Sequence, residues 1–197
     1  MTDIIAMAVF SFIMSITPGP VNLVTLNSGV NYGFKRTIPY VSGATISFTL
    51  LLVTLGMGLS SIVMAYPRLL HFSSYLGIAY MMYMGYCIMK SSATIQSEHR
   101  ATHAPRFIDG AILQCTNPKA WMACLSGLMS FTSATSMIPL AKFASLYFVI
   151  CYCCIGLWAL AGMKLRTLLT KASYVQWFNR FMGLLLIITG LYLGISI

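Results

Sequence analysis

Apolar residues run through this chain in long stretches, and polar ones gather between them. Stretches of the roughly 20 residues needed to cross bilayer hydrocarbon fall at 4–31, 38–66, 69–89, 107–131, 138–163 and 174–197. The pattern predicts an all-α membrane protein with six transmembrane helices in a single domain, 1–197. Thr17-Pro18-Gly19-Pro20 interrupts the first run and Asn117-Pro118-Lys119 the fourth. Proline lacks an N–H and clashes with the preceding turn, so Pro18, Pro20 and Pro118 should free the carbonyls of Met14, Ile16 and Gln114. Lipid cannot hydrogen-bond them, and such breaks are tolerated where they line a cavity.

The halves of the chain echo each other. An offset of 98 aligns Pro20, Ser28 and Gly29 with Pro118, Ser126 and Gly127. An offset of 106 aligns Phe72, Tyr75, Leu76, Gly77 and Tyr86 with Phe178, Phe181, Met182, Gly183 and Tyr192. Three spans is an odd number, so the second copy must enter the membrane from the opposite side. Two inverted three-helix repeats are expected, about 1–90 and about 107–197, joined by a cytoplasmic linker at about 91–106; this is a transporter arrangement.

Composition narrows the class. With 58% hydrophobic and 8% charged residues, the chain belongs in a membrane. The run after Met1-Thr2-Asp3 lacks a basic leader and exceeds signal-peptide length, so it reads as a retained first helix. The net charge of +9 does not imply nucleic acid, because Lys and Arg occupy short loops. Lys35, Arg36, Lys90, Arg100, Arg106, Lys164, Arg166, Lys171 and Arg180 lie on one side, Arg68 and Lys142 on the other. By the positive-inside rule the first side is cytoplasmic, with both termini outside the inner (plasma) membrane. The six cysteines, Cys87, Cys115, Cys124, Cys151, Cys153 and Cys154, all fall in spans, which argues against a disulfide framework. Cys151 and Cys154 make a C-x-x-C pattern, which on a helix puts two small, soft side chains on one face and reads as packing rather than as a redox pair. Glu98, His99 and His103 read as a solvated loop rather than a metal site, and no cofactor is expected.

Candidate chemistry gathers at the breaks. Gly19-Pro20 and Asn117-Pro118 read as starts of new half-helices whose positive dipole ends and free N–H groups face one central region. A carboxylate could sit there. Lys119 costs about 3 kcal/mol at mid-membrane and opposes the dipole, penalties that an anionic ligand relieves; a structural plug against freed carbonyls is the other reading. Thr17, Asn22, Asn27, Gln114, Thr116 and Asn117 could recognise a zwitterion or satisfy freed backbone groups. Asp109 is the candidate for proton coupling, or favours a helix start. Tyr80, Tyr83 and Tyr86 form a helical stripe that reads as core packing. Gly43, Ser47, Gly56 and Gly58 permit close helix approach, within a subunit or in a homodimer.

Several of these motifs resemble the LysE/RhtB family of amino-acid exporters: Thr17-Pro18-Gly19-Pro20-Val21-Asn22, Gly33-Phe34-Lys35-Arg36, Leu76-Gly77-Ile78-Ala79-Tyr80 with Tyr83 and Gly85, and Asn117-Pro118-Lys119-Ala120. The resemblance implies a six-helix inner-membrane protein that expels amino acids in exchange for protons. It puts Pro18, Gly19, Pro20, Asn22, Asn117, Pro118 and Lys119 at the functional centre. Cys115-Thr116 departs from the family's usual turn. The few membrane acids favour a neutral or small polar substrate, with cysteine derivatives, threonine, homoserine and leucine open. Two other classes compete. A thiol carrier resembling CcdA/DsbD would pair a cysteine in each broken helix, and the first break has none. A heavy-metal exporter would place soft or anionic ligands where this chain has Lys119.

Overall fold

In lipid, backbone groups must be satisfied within the segment, and the helix is the local solution. The computed structural model describes residues 2–59, 67–90, 104–132, 137–169 and 171–196. Among them the helices are α1 (Thr2–Ile16), α2 (Pro20–Tyr32), α3 (Phe34–Thr54), α4 (Pro67–Lys90), α5 (Phe107–Cys115), α6 (Pro118–Phe131), α7 (Met137–Leu168) and α8 (Ala172–Ser196). Glu98, His99 and His103 lie outside the described residues.

The prolines act as the sequence predicts. Pro20 and Pro118 open α2 and α6 at the first helical turn, where a missing N–H costs nothing. Phe34–Gly58, Met137–Leu168 and Ser173–Ile195 are long and apolar enough to cross a membrane. Ile4–Ile16 and Pro20–Tyr32 pass the same test as a pair bent by 60° at the break, the form of a broken span or a re-entrant loop. Around Cys115–Pro118, α5 and α6 form a second interrupted pair.

The distribution of polarity is that of a protein solvated by lipid. Ile5, Ile13, Trp177, Phe181, Ile188 and Tyr192 are exposed, whereas Ser15, Asn22, Asn27, Gln114 and Asn179 are buried. The core is aromatic at one end: Phe10, Phe131, Phe143 and Tyr147 pack edge-on or tilted, and Phe48 lies 4.4 Å from Tyr147 between ring centroids.

The most extensive packing is of α4 on α8, α2 on α7 and α3 on α5, and α1 and α3 also lie against α7. Glycine permits the closest seams. A Cβ on Gly43 would stand 1.9 Å from the Phe107 carbonyl oxygen, and one on Gly110 would stand 2.2 Å from that of Tyr40. Gly29 of α2 and Gly162 of α7 abut each other's helix backbone in the same reciprocal way. Of the other residues expected to allow close approach, Gly56 faces the Leu140 side chain. Ser47 bonds back to the Ala44 carbonyl within α3. Gly58 has open space around it and instead supplies a φ of 118° at the end of the wide turn Leu55–Leu59.

Candidate functional site

Each proline-freed carbonyl must be followed to its partner. At the first break the Asn22 amide donates to the carbonyls of Ser15 and Thr17, both at 2.9 Å. Trp158 of α7 donates through Nε1 to the Ile16 carbonyl at 3.1 Å. The Thr17 hydroxyl bonds back to the Ile13 carbonyl. At the second break the Asn117 N–H reaches the Gln114 carbonyl at 3.2 Å, and Trp121 Nε1 reaches that of Cys115 at 2.6 Å. Thr116 Oγ1 turns back to the Ile112 carbonyl at 2.7 Å. Asn22 and Thr116 therefore satisfy backbone, one of the two roles the sequence allowed them.

The two half-helix starts differ. On α6 the Asn117 side chain accepts from the Lys119 N–H at 3.1 Å, and its carbonyl accepts from Ala120 and Trp121. That end is capped by its own residues. On α2 the cap residue Gly19 has no side chain to offer, and the Val21 and Asn22 amides have no partner among the described residues. The expectation of free donors at both breaks is met at the first alone.

Lys119 joins the breaks across 102 residues of sequence: its Nζ donates to the Thr17 carbonyl at 2.8 Å. Its stem crosses Gly19, where a Cβ would stand 3.3 Å from Lys119 Cδ, so the absence of a side chain at Gly19 leaves room for the reach. Beside this bridge is a cavity of about 40 Å³, lined by Ser15, Gly19, Asn22, Gln114, Asn117, Lys119, Tyr147 and Cys151 among others. At about 10–15 Å³ per water, this holds roughly three waters. Gln114 is 6% exposed, and its side-chain amide makes no hydrogen bond among the described residues.

Thr17 and Pro18 are exposed and Pro20 is buried, so the turn itself forms one rim of the break. Pro118 is half-buried. Asn27 does not join this group. It lies five residues beyond Asn22, about 7.5 Å along the helix, and donates to Asn179 Oδ1 of α8 at 2.9 Å. Asn31 completes a closed amide network with the same residue. Asp109 is also apart: Oδ2 accepts the Arg106 N–H at 2.7 Å, capping α5, and Oδ1 accepts from Tyr80 at 3.2 Å. Asn27, Tyr80, Tyr83, Tyr86, Lys90 and Asp109 line a second cavity of about 490 Å³. Within the tyrosine stripe Tyr80 packs against the core, as expected, while Tyr83 and Tyr86 are exposed beside this space.

Sequence reasoning missed Ser15, Tyr147, Trp121 and Trp158. Ser15 carried a faint signal, a lone hydroxyl in the apolar run Ile13-Met14-Ser15-Ile16 two residues before the break. Cys151 was read as packing alone, yet it lines the first cavity.

Residues 12–197 match the family LysE type translocator. The chain belongs to this family. It is similar to the leucine efflux protein of Salmonella typhimurium, strain LT2, at 25% identity over 180 residues, 87% of this chain and 85% of that one. It is also similar to the cysteine/O-acetylserine efflux protein of the same strain, at 26% identity over 84 residues, 43% of each chain. The chain thus spans less than half the length of the latter relative. No solved structure matches the chain. With the apolar helices above, LysE family membership makes this a multi-pass membrane protein.

Proposed function

We propose that this LysE family member exports neutral or small polar amino acids across the inner (plasma) membrane by exchange with protons, and that it is a transporter and not an enzyme. One observation carries the reading. The Lys119 ammonium, the open Val21 and Asn22 amides and the unpartnered Gln114 amide converge on one cavity between two interrupted helices. Helix N-terminal amides and an ammonium are carboxylate partners, and a side-chain amide lining the cavity can donate to or accept from a polar ligand. Lys119 exchanges its Thr17 carbonyl for the substrate carboxylate, which loosens the link between the two breaks as the substrate is held. The efflux functions named for the relatives support amino acids as the cargo.

The architecture belongs to the same reading: six spans in two inverted repeats of three, with the linker and basic loops cytoplasmic and both termini outside. The mirrored packing of α1 on α7 and α5 on α3 supports it, as do the self-paired contacts α3 with α7 and α4 with α8. Asp109, beside the larger cavity, is the group that carries the coupling proton.

The test is transport by the full chain in proteoliposomes. Labelled neutral amino acids should move, faster with an imposed pH gradient. Absence of movement for every amino acid in correctly inserted protein refutes the export reading; movement indifferent to the gradient refutes proton exchange.

A further inference from the structure

One wall of the cavity has no task in holding a carboxylate. Ser15 is 7% exposed and lines the cavity, and its hydroxyl oxygen is buried with no hydrogen-bond partner. A hydroxyl on a helix ordinarily bonds back one turn, as Ser11 does to the Met7 carbonyl at 2.7 Å. Ser15 does not. A buried polar group without a partner is destabilising, and its persistence calls for a reason. Beside it the Cys151 thiol and the Tyr147 ring also line the cavity. Thr45, fully buried with its own hydroxyl unpartnered, also lies near the Cys151 thiol.

We propose that Ser15, with Cys151 and Tyr147, forms a side-chain subsite that takes the hydroxyl or thiol of a small β-substituted amino acid and disfavours branched aliphatic side chains. The inference rests on the export reading and names the substrate class of that same site. Three features of the wall fit it. First, Ser15 and Lys119 line the same cavity. A serine or cysteine whose carboxylate is held at Lys119 therefore has its side-chain oxygen or sulfur in the space that Ser15 borders. Second, the wall beside Ser15 is closed by Phe48 and Tyr147, whose rings lie tilted against each other with centroids 4.4 Å apart, so a branched side chain would have to displace an aromatic pair where a hydroxyl or thiol would not. Third, the wall is polar in chemistry. Ser15 and Tyr147 can each donate or accept, and a thiol can do both weakly, so an apolar side chain there would leave Ser15 still unbonded. Sites built to bond a substrate hydroxyl reject analogues lacking it far more strongly than apolar pockets reject extra bulk.

The experiment compares serine, reduced cysteine, alanine and leucine as counterflow substrates of the full chain in proteoliposomes, and thermal stabilisation of the purified protein by each. Serine and cysteine should exceed alanine and leucine at least tenfold in kcat/KM, and should raise the melting temperature where leucine does not. Ser15→Ala should shrink the serine-to-alanine ratio at least fivefold while alanine is still carried; Ser15→Cys should restore much of it. If Ser15→Ala fails to fold, the wild-type ratios and the thermal shifts decide alone. Leucine carried as well as serine, or a ratio unmoved by Ser15→Ala, overturns the subsite and leaves export standing. Movement of no amino acid at all overturns both.

Discussion

Lys119→Met removes the ammonium that bridges the two breaks while keeping the length of the stem that crosses Gly19. In the resting protein the lost contact is the 2.8 Å bond to the Thr17 carbonyl. In the loaded protein it is an ammonium–carboxylate bond in a half-buried setting. Hydrogen bonds to charged groups contribute about 1.5–3 kcal/mol, and half-exposure places this one at the lower end, so kcat/KM for an amino acid should fall about ten- to thirty-fold. A purely structural plug would also lower transport, and the discriminating readout is the substrate's own carboxylate. Counterflow with an amino acid and its amide in parallel should show wild-type protein preferring the acid, and Lys119→Met preferring neither. The reasoning fails if the variant keeps kcat/KM within about threefold, or if it loses activity yet still prefers the acid by the wild-type ratio.

Other substitutions probe the frame around the site. Asn22→Leu removes the amide donor of the Ser15 carbonyl, while the Thr17 carbonyl keeps Lys119, and thermal or denaturant unfolding should show a loss of about 1–3 kcal/mol for the buried group left unpaired. Gly77→Ala would put a Cβ 1.8 Å from the Thr116 carbonyl oxygen, where backbone must move; folded yield by size-exclusion chromatography should drop sharply, at a cost of about 3 kcal/mol or more. Asn179→Ala opens the amide network with Asn27 and Asn31 and should lower the melting temperature while leaving the preference for acid over amide unchanged. Cys154→Ser disrupts the C-x-x-C pair, both members of which are free thiols; transport within about twofold of wild type is expected, and abolition together with a measurable midpoint potential would favour thiol chemistry.

The breaks were legible because proline's missing N–H is a local fact that no tertiary contact can undo. Pro20 and Pro118 open half-helices as read, and Lys119 reaches the other break. What the sequence left open were questions of partner choice. Asn22 and Asn27 look alike on paper, both polar and just beyond the first break. In the fold one turns back to the broken carbonyls and the other pairs with a residue 152 positions away. The tryptophans that satisfy Ile16 and Cys115 give no local sign of it, since an indole in an apolar run is ordinary packing until a carbonyl stands within reach. Ser15 escaped because a hydroxyl in a helix is expected to bond its own backbone, and this one does not.

The unequal ends of α2 and α6 have a consequence for how the seat is assembled. The open amides belong to the N-terminal half of the chain, and the ammonium that faces them belongs to the C-terminal half. Neither half could assemble this seat by pairing with a copy of itself, since one such pair would have two vacant anion cradles and the other two unmatched cations. Each half of the chain is therefore indispensable to the other at this seat.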